Sequence, residues 1–187
     1  MNISRSLVGV AVVALLLASA CSSGTTSQVL GEGRGELVIE IHDHPAPAIV
    51  ECWITIASAE AHHMGSDWIH IAGDYPHTFD LRTMVNGRTK MLGSDAVPEG
   101  DYDRLRIHMT GARLVLQDGA EVHVQMPQGG IHTEVPIAQR CRVGAGRGAT
   151  VSIDFLIDGS FRHNGDESWT CDPQINVDGV REHEHHH

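Results

Sequence analysis

Apolar and polar residues alternate with a period of two along most of this chain, and no stretch carries the period of an amphipathic helix. "ELVIEIH" sets Leu37, Ile39 and Ile41 on one face. "VECWITIAS" sets Val50, Cys52, Ile54 and Ile56 against Glu51, Trp53 and Thr55. "YDRLRIHM" sets Leu105, Ile107 and Met109 against Tyr102, Arg104, Arg106 and His108, and "TVSIDFLID" turns Val151, Ile153, Phe155 and Ile157 inward. "ARLVLQDGAEVHVQM" is two such runs around Asp118-Gly119, a tight-hairpin signal. "QINV" is the last run, closing the domain near Val177. Short half-buried strands separated by Gly, Pro and Asp have to hide one face each. The expectation is an all-β protein, an antiparallel β-sandwich of about seven to nine short strands.

The first twenty residues are of another kind. A single charge, Arg5, precedes the apolar run "LVGVAVVALLLASA", which reads as a secretory signal and is shorter than a membrane span. "ASAC" resembles the bacterial lipobox, in which the cysteine is lipidated, although Leu17 stands one place early and Ala18 fills its slot. The polar "SSGTTS" after Cys21 suits a flexible tether, and several acyl chains would anchor the protein stably. Ser22 resembles the outer-membrane sorting signal of Gram-negative lipoproteins. The expected division is signal peptide 1–20, lipidated Cys21 and tether 21–34, sandwich 35–180 and His-rich tail 181–187. Ordinary signal cleavage is the competing reading.

The remaining length of roughly 150 residues makes about one domain, long enough for a real core. A formal net charge of -11 disfavours nucleic acid and anionic lipid as partners. Besides Cys21 the chain has Cys52, Cys141 and Cys171, with no C-x-x-C pair to suggest a redox motif or zinc ribbon. All three fall on inward positions, and an oxidising compartment allows them one bridge. Cys141–Cys171 is the expected pair and Cys52–Cys171 its rival.

Taken in order, "IHDHPAP", "CWITIASAEAHH", "HTFDL", "VNG", "LGSDAVPEGDYDRLRIHM" and "VSIDFLID" resemble a prokaryotic lipoprotein domain family, catalogued as domain of unknown function 4382. The resemblance covers about Gly35 to Val180. Its most specific parts are "TFDL", Thr78 to Leu81, and "VPEGDYDRLRI", Val97 to Ile107. It implies a transthyretin-type, carbohydrate-binding-like sandwich and a lipoprotein, with no catalytic residues to carry over. The family's first strand ends in an Asp-x-Pro turn that Asp43 and Pro45 match, while His42 and His44 fall outside the pattern.

His42, Asp43 and His44 could ligate a metal, but a zinc site needs about four ligands. His62-His63 would supply more. If Gly35–His42 and Val50–Ser58 form a hairpin, however, about six residues of strand, roughly 20 Å, separate the two pairs. Asp43 is then a turn acceptor. The tail, with His183, His185, His186 and His187, is a ligand-rich run able to hold zinc, nickel or copper loosely, or else a solvated terminus. No nucleophile elbow, P-loop, H-E-x-x-H or dinucleotide fingerprint occurs, and no pair of carboxylates is singled out, so an enzyme is not expected.

Aromatic residues make up only 4 % of the chain, lean for a sugar-binding surface. Trp53, Trp68 and Tyr102 nevertheless point away from the apolar rows. Trp53 is expected to be covered by a loop. Trp68 and Tyr102, with Arg104 and Arg106, are the candidate ligand-binding set. The expected function is a non-catalytic, lipid-anchored module of the outer membrane or cell surface that binds a glycan or an envelope protein and requires no cofactor. The alternatives are a metal-binding lipoprotein using the tail, His42 and His44, and a structural spacer.

Overall fold

The computed structural model describes residues 32–43, 46–165 and 168–184. The lipidation candidate Cys21, His44 and the tail residues His185, His186 and His187 lie outside the described residues. Among the described residues no helix is long and apolar enough to cross a membrane.

The described residues contain twelve strands, ten of them in two facing sheets: β1 Arg34–Asp43, β2 Ile49–His63, β3 Trp68–Ile71, β4 His77–Asp80, β5 Lys90–Pro98, β6 Gly100–Leu116, β7 Glu121–His123, β8 Ile131–Val143, β9 Arg147–Phe155, β10 Phe161–His163, β11 Trp169–Cys171 and β12 Ile175–Glu184. The smaller sheet has the order β12-β9-β1-β5, and the larger contains β3, β2, β6 and β7 with β4 on β2 and β8 on β6. The hairpin β10-β11 stands apart. The sandwich is therefore as the alternation implies, with twelve strands instead of seven to nine, and with one parallel pair, β1 with β9.

The larger sheet is built on two long central strands. β2 gives one edge to β6 over nearly its whole length and divides the other between β3 and β4. β6 divides its outer edge between β7 and β8. The hairpin at Asp118-Gly119 joins β6 to β7, with Gly119 N–H donating to Leu116 O and Leu116 N–H to Ala120 O.

Between the sheets lie Leu37, Ile39 and Ile41 of β1, Val151, Ile153 and Phe155 of β9, Ile54 and Ile56 of β2, and Leu105, Ile107 and Met109 of β6, each 2 % exposed or less. Each such side chain contributes about 1.5–3 kcal/mol of transfer free energy. Bulges reset the alternation where the sequence reading runs straight through. The shift between Ile49 and Glu51 buries Ile49 and leaves Val50 48 % exposed. The shift between Ile56 and Ser58 hands the inward row to Ala59 and Ala61. The last strand continues through Glu184, past Val180 where the sequence reading ends the domain. It too carries an irregularity, between Val177 and Gly179. There Gln139 of β8 donates its side-chain amide to Asp178 O at 3.2 Å and accepts Val180 N–H at 3.3 Å, tying the bulged strand to β8.

Cys52, Cys141 and Cys171 are free thiols, which corrects the expected Cys141–Cys171 bridge. Cys141 lies across from Tyr102 of β6. Cys171 follows Thr170, which bridges Gln125, next to Val124 whose N–H reaches Ala112 O. From Tyr102 to Ala112 is 112 − 102 = 10 residues of strand, about 30 Å, whereas a bridge needs Cα atoms within ~7 Å. Cys52, paired with Leu114, shares the Cys171 end and is also free.

Candidate functional site: the outer face of the six-stranded sheet

The residues that alternation turns away from the core give this face an unusual chemistry for an acidic chain: tryptophans flanked by arginines. Two clusters stand along it.

At one end the pairing places Glu60, Arg106 and Glu134 in one lateral row and His62, Arg104 and Pro136 in the next, with Trp68 opposite His62. The Arg106 guanidinium lies 3.9 Å from the Trp68 ring centroid and that of Arg104 5.6 Å. This is cation–π geometry, with Arg106 covering a face of the indole. Arg106 reaches Glu134 at 2.9 Å and Glu60 at 3.4 Å, and Arg104 reaches Glu134 at 3.4 Å. The hydrogen bond from Arg106 holds the Glu134 carboxyl below the usual carboxylate range and raises Arg106 in turn. His62 stands 5.2 Å from the Trp68 ring, its Nδ1 2.6 Å from Asp103 Oδ1.

The second cluster surrounds Trp53. The row Trp53, Arg113, His123 runs across β2, β6 and β7, and Thr55 faces both Gly111 and Thr78. These residues and Ala112 line an open groove of about 330 Å³. Trp53 Nε1–H donates to Glu51 Oε2 at 2.7 Å. Arg113 lies 5.4 Å from the Trp53 centroid, between Glu51 at 3.4 Å and Glu121 at 3.1 Å. The Thr55 and Thr78 hydroxyls are 2.8 Å apart. Trp53 is thus a half-buried groove wall, not the loop-covered residue expected from sequence.

Of the expected ligand-binding set, Trp68, Arg104 and Arg106 come together and Tyr102 does not. Tyr102 is 2 % exposed and donates its hydroxyl to Pro98 O at 2.8 Å. The cause is a bulge: adjacent His62 and His63 of β2 pair with Arg104 and Tyr102, which makes Asp103 an extra residue of β6, so both Tyr102 and Leu105 face inward. Gly100 makes room at this corner, with φ 148° and no space for a Cβ against the His63 ring.

Among the described residues the candidate histidines His42, His62, His63 and His183 form no common metal site. β1 and β2 belong to different sheets, so the hairpin assumed for His42 and His62 does not exist. His42 sits on the four-stranded sheet with Nε2 2.8 Å from Asp178 and Nδ1 3.7 Å from Asp154. Asp43 is buried and receives Arg82 at 3.3 Å. His183 belongs to β12, with Nε2 3.7 Å from Glu36. Among the described residues no group of three or more His, Cys, Asp or Glu could hold a metal ion. Burial pushes the Cys141 and Cys171 thiols up to about 12, and raises that of Cys52, with Asp43 and Asp80 adding to it. Thiols so raised are poor nucleophiles.

A family profile described as domain of unknown function (DUF4382) matches residues 34–173. The chain belongs to the DUF4382 family. No curated protein and no solved structure matches it. Two motifs that mark the DUF4382 resemblance hold the site's framework. In "TFDL", Phe79 and Leu81 are buried and Asp80 joins β4 to β2, its Oδ1 accepting Cys52 N–H at 2.9 Å and Arg82 N–H at 3.0 Å. In "VPEGDYDRLRI", the Tyr102–Pro98 bond closes the corner from which Arg104 and Arg106 emerge.

Proposed function

We propose that this DUF4382 protein is a non-catalytic lipoprotein of the cell envelope that acts as a surface binding module through the outer face of its six-stranded sheet. The observation that carries this reading is the pair of tryptophan–arginine clusters on one sheet face. Tryptophan and arginine dominate binding hot spots because they join a large apolar area to directional polar groups. The acidic partners keep the arginines extended and ordered, so a ligand meets a preformed surface. The non-catalytic part rests on the raised thiols and on the ion pairs that occupy Glu51, Glu60, Glu121 and Glu134 on this face.

Incubation with a glycan array, with outer-membrane vesicles and with peptidoglycan tests the binding role. Binding to at least one of these is expected, with loss in the variant carrying Trp53→Ala, Trp68→Ala and Arg104→Ala. A wild-type protein that binds none of them would support the spacer reading instead, and an unaffected variant would show that binding does not use this face.

The anchor is tested separately. Expression in bacteria fed radiolabelled palmitate is expected to label the wild type and place it in the membrane fraction. Cys21→Ser is expected to lose the label and move to the soluble fraction. Unlabelled wild type would remove the anchor from the reading.

A further inference from the structure

We propose that the groove beside Trp53 is a binding site for a single neutral pyranose ring at the end or branch of a glycan; this rests on the binding-module reading. Four observations converge on that ligand chemistry.

The first is size. About 330 Å³ is at the low end of the roughly 300–1,000 Å³ of small-molecule sites and suits one ring, not a chain lying flat. The second is the wall. The Trp53 indole N–H is bound to Glu51 at 2.7 Å, so its polar edge is satisfied and its orientation held. What remains for a ligand is the part of the π-face that Arg113, 5.4 Å from the centroid, leaves open, and it matches the C–H face of a sugar ring.

The third is the floor. Gly111 carries no side chain, and a Cβ there would stand 3.2 Å from Thr55 Oγ1, filling the bottom of the groove. Beside it the Thr55 and Thr78 hydroxyls are bonded to each other. One proton is used in that bond. The other proton and several lone pairs remain, so the pair can both donate and accept, as a sugar hydroxyl does.

The fourth is charge. Arg113 is held between Glu51 and Glu121. Two carboxylates already answer its charge, which leaves no surplus cation for a phosphate, sulfate or carboxylate. Neither carboxylate lines the groove itself, so no acid faces a cationic ligand there. A neutral polyol with an apolar face is what remains. Trp68 is the more covered ring, with Arg106 3.9 Å and Arg104 5.6 Å from its centroid, where Trp53 has Arg113 at 5.4 Å.

The test is calorimetric titration of the protein with glucose, galactose, mannose and N-acetylglucosamine and their oligosaccharides. Saturable one-to-one binding of at least one is expected. Trp53→Ala and Gly111→Val are expected to weaken it about tenfold or more, equivalent to about 1.4 kcal/mol. Trp68→Ala is expected to leave it within a factor of about two, a few tenths of a kcal/mol. If Trp53→Ala does not fold, Trp53→Phe, which keeps a ring, and Gly111→Ala, which fills the floor, make the same comparison: binding persists in the first and falls in the second.

No binding by any sugar overturns the inference, and so does binding indifferent to Trp53 and Gly111. Sugar binding lost in Trp68→Ala but kept in Trp53→Ala overturns this site and leaves the module reading standing. A protein that takes none of the sugars yet binds vesicles through the same face also overturns only the inference. A protein that binds nothing in either experiment overturns both.

Discussion

Tyr102→Ala is expected to lower the stability of the protein by about 3–5 kcal/mol, the usual cost of emptying a buried aromatic site. For a domain of this size that moves the thermal midpoint down by roughly 10 °C or more. Tyr102 is 2 % exposed, and its hydroxyl donates to Pro98 O at 2.8 Å. Burial raises the phenol, so it stays protonated and remains a donor. Tyr102→Phe keeps the ring and loses only the hydrogen bond, for about 1 kcal/mol, with Pro98 O left to find water. Thermal unfolding of the two variants separates the roles of this residue. A ligand-binding tyrosine on the outer face would lose affinity and keep its melting point. The structure demands the opposite, a large loss of stability in Tyr102→Ala and unchanged ligand binding in Tyr102→Phe. An Ala variant that melts with the wild type would contradict the inward placement of Tyr102.

That residue also marks where the sequence stops being readable. Leu37, Ile39 and Ile41, like Val151, Ile153 and Phe155, sit on strands whose inward phase holds throughout, and alternation alone puts them in the core. β2 and β6 are too long for one phase. Each bends over the core by bulging, and each bulge exchanges the faces. Nothing local in "YDRLRIHM" announces that Asp103 is the extra residue, so Tyr102 reads as outward by parity. Val50 is misread for the same reason. Strand count suffers similarly, because β4, β10 and β11 are only three or four residues long and exist through pairing to a neighbour. The cysteine pairing needs to know which end of the sheet each residue reaches, a long-range fact that inward position does not carry. The outward direction of Trp68, Arg104 and Arg106 is legible. That Arg106 lies over the indole is not, since it depends on the lateral register of three strands. The Trp53 groove has a faint signal in sequence, an outward tryptophan two residues from a threonine and a glycine within "HMTGARL". What it lacks is the register that sets Gly111 against Thr55.

Asp80→Ala is expected to cost about 2–4 kcal/mol, since hydrogen bonds to a charged acceptor are worth about 1.5–3 kcal/mol each and the two here share one oxygen. Asp80 Oδ1 accepts Cys52 N–H from β2 and Arg82 N–H from the turn after β4. Cys52 is fully buried, so its amide has no water to turn to once the carboxylate is gone. The turn Leu81–Thr83 loses its N-cap in the same step. Asp80→Asn retains an acceptor oxygen and is expected to cost about half as much. Hydrogen exchange gives a local readout: the Cys52 and Arg82 amides should lose protection in Asp80→Ala while Ile39 and Val151, in the other sheet, keep theirs relative to global stability. Alkylation gives a second. The Cys52 thiol is raised first by burial and then by Asp43 and Asp80, so removing one charge and loosening β4 should speed its reaction with iodoacetamide. Wild-type stability and unchanged exchange in the Ala variant would show that Asp80 does not hold the two strands together. The consequence reaches the groove, because β4 carries Thr78 and Asp80 fixes β4 against β2 two residues from Thr55. A loosened β4 separates the paired hydroxyls before the tryptophan wall is touched. Sugar affinity in Asp80→Ala is therefore expected to fall even though Asp80 does not line the groove, and the tryptophan–arginine cluster at Trp68 should remain intact.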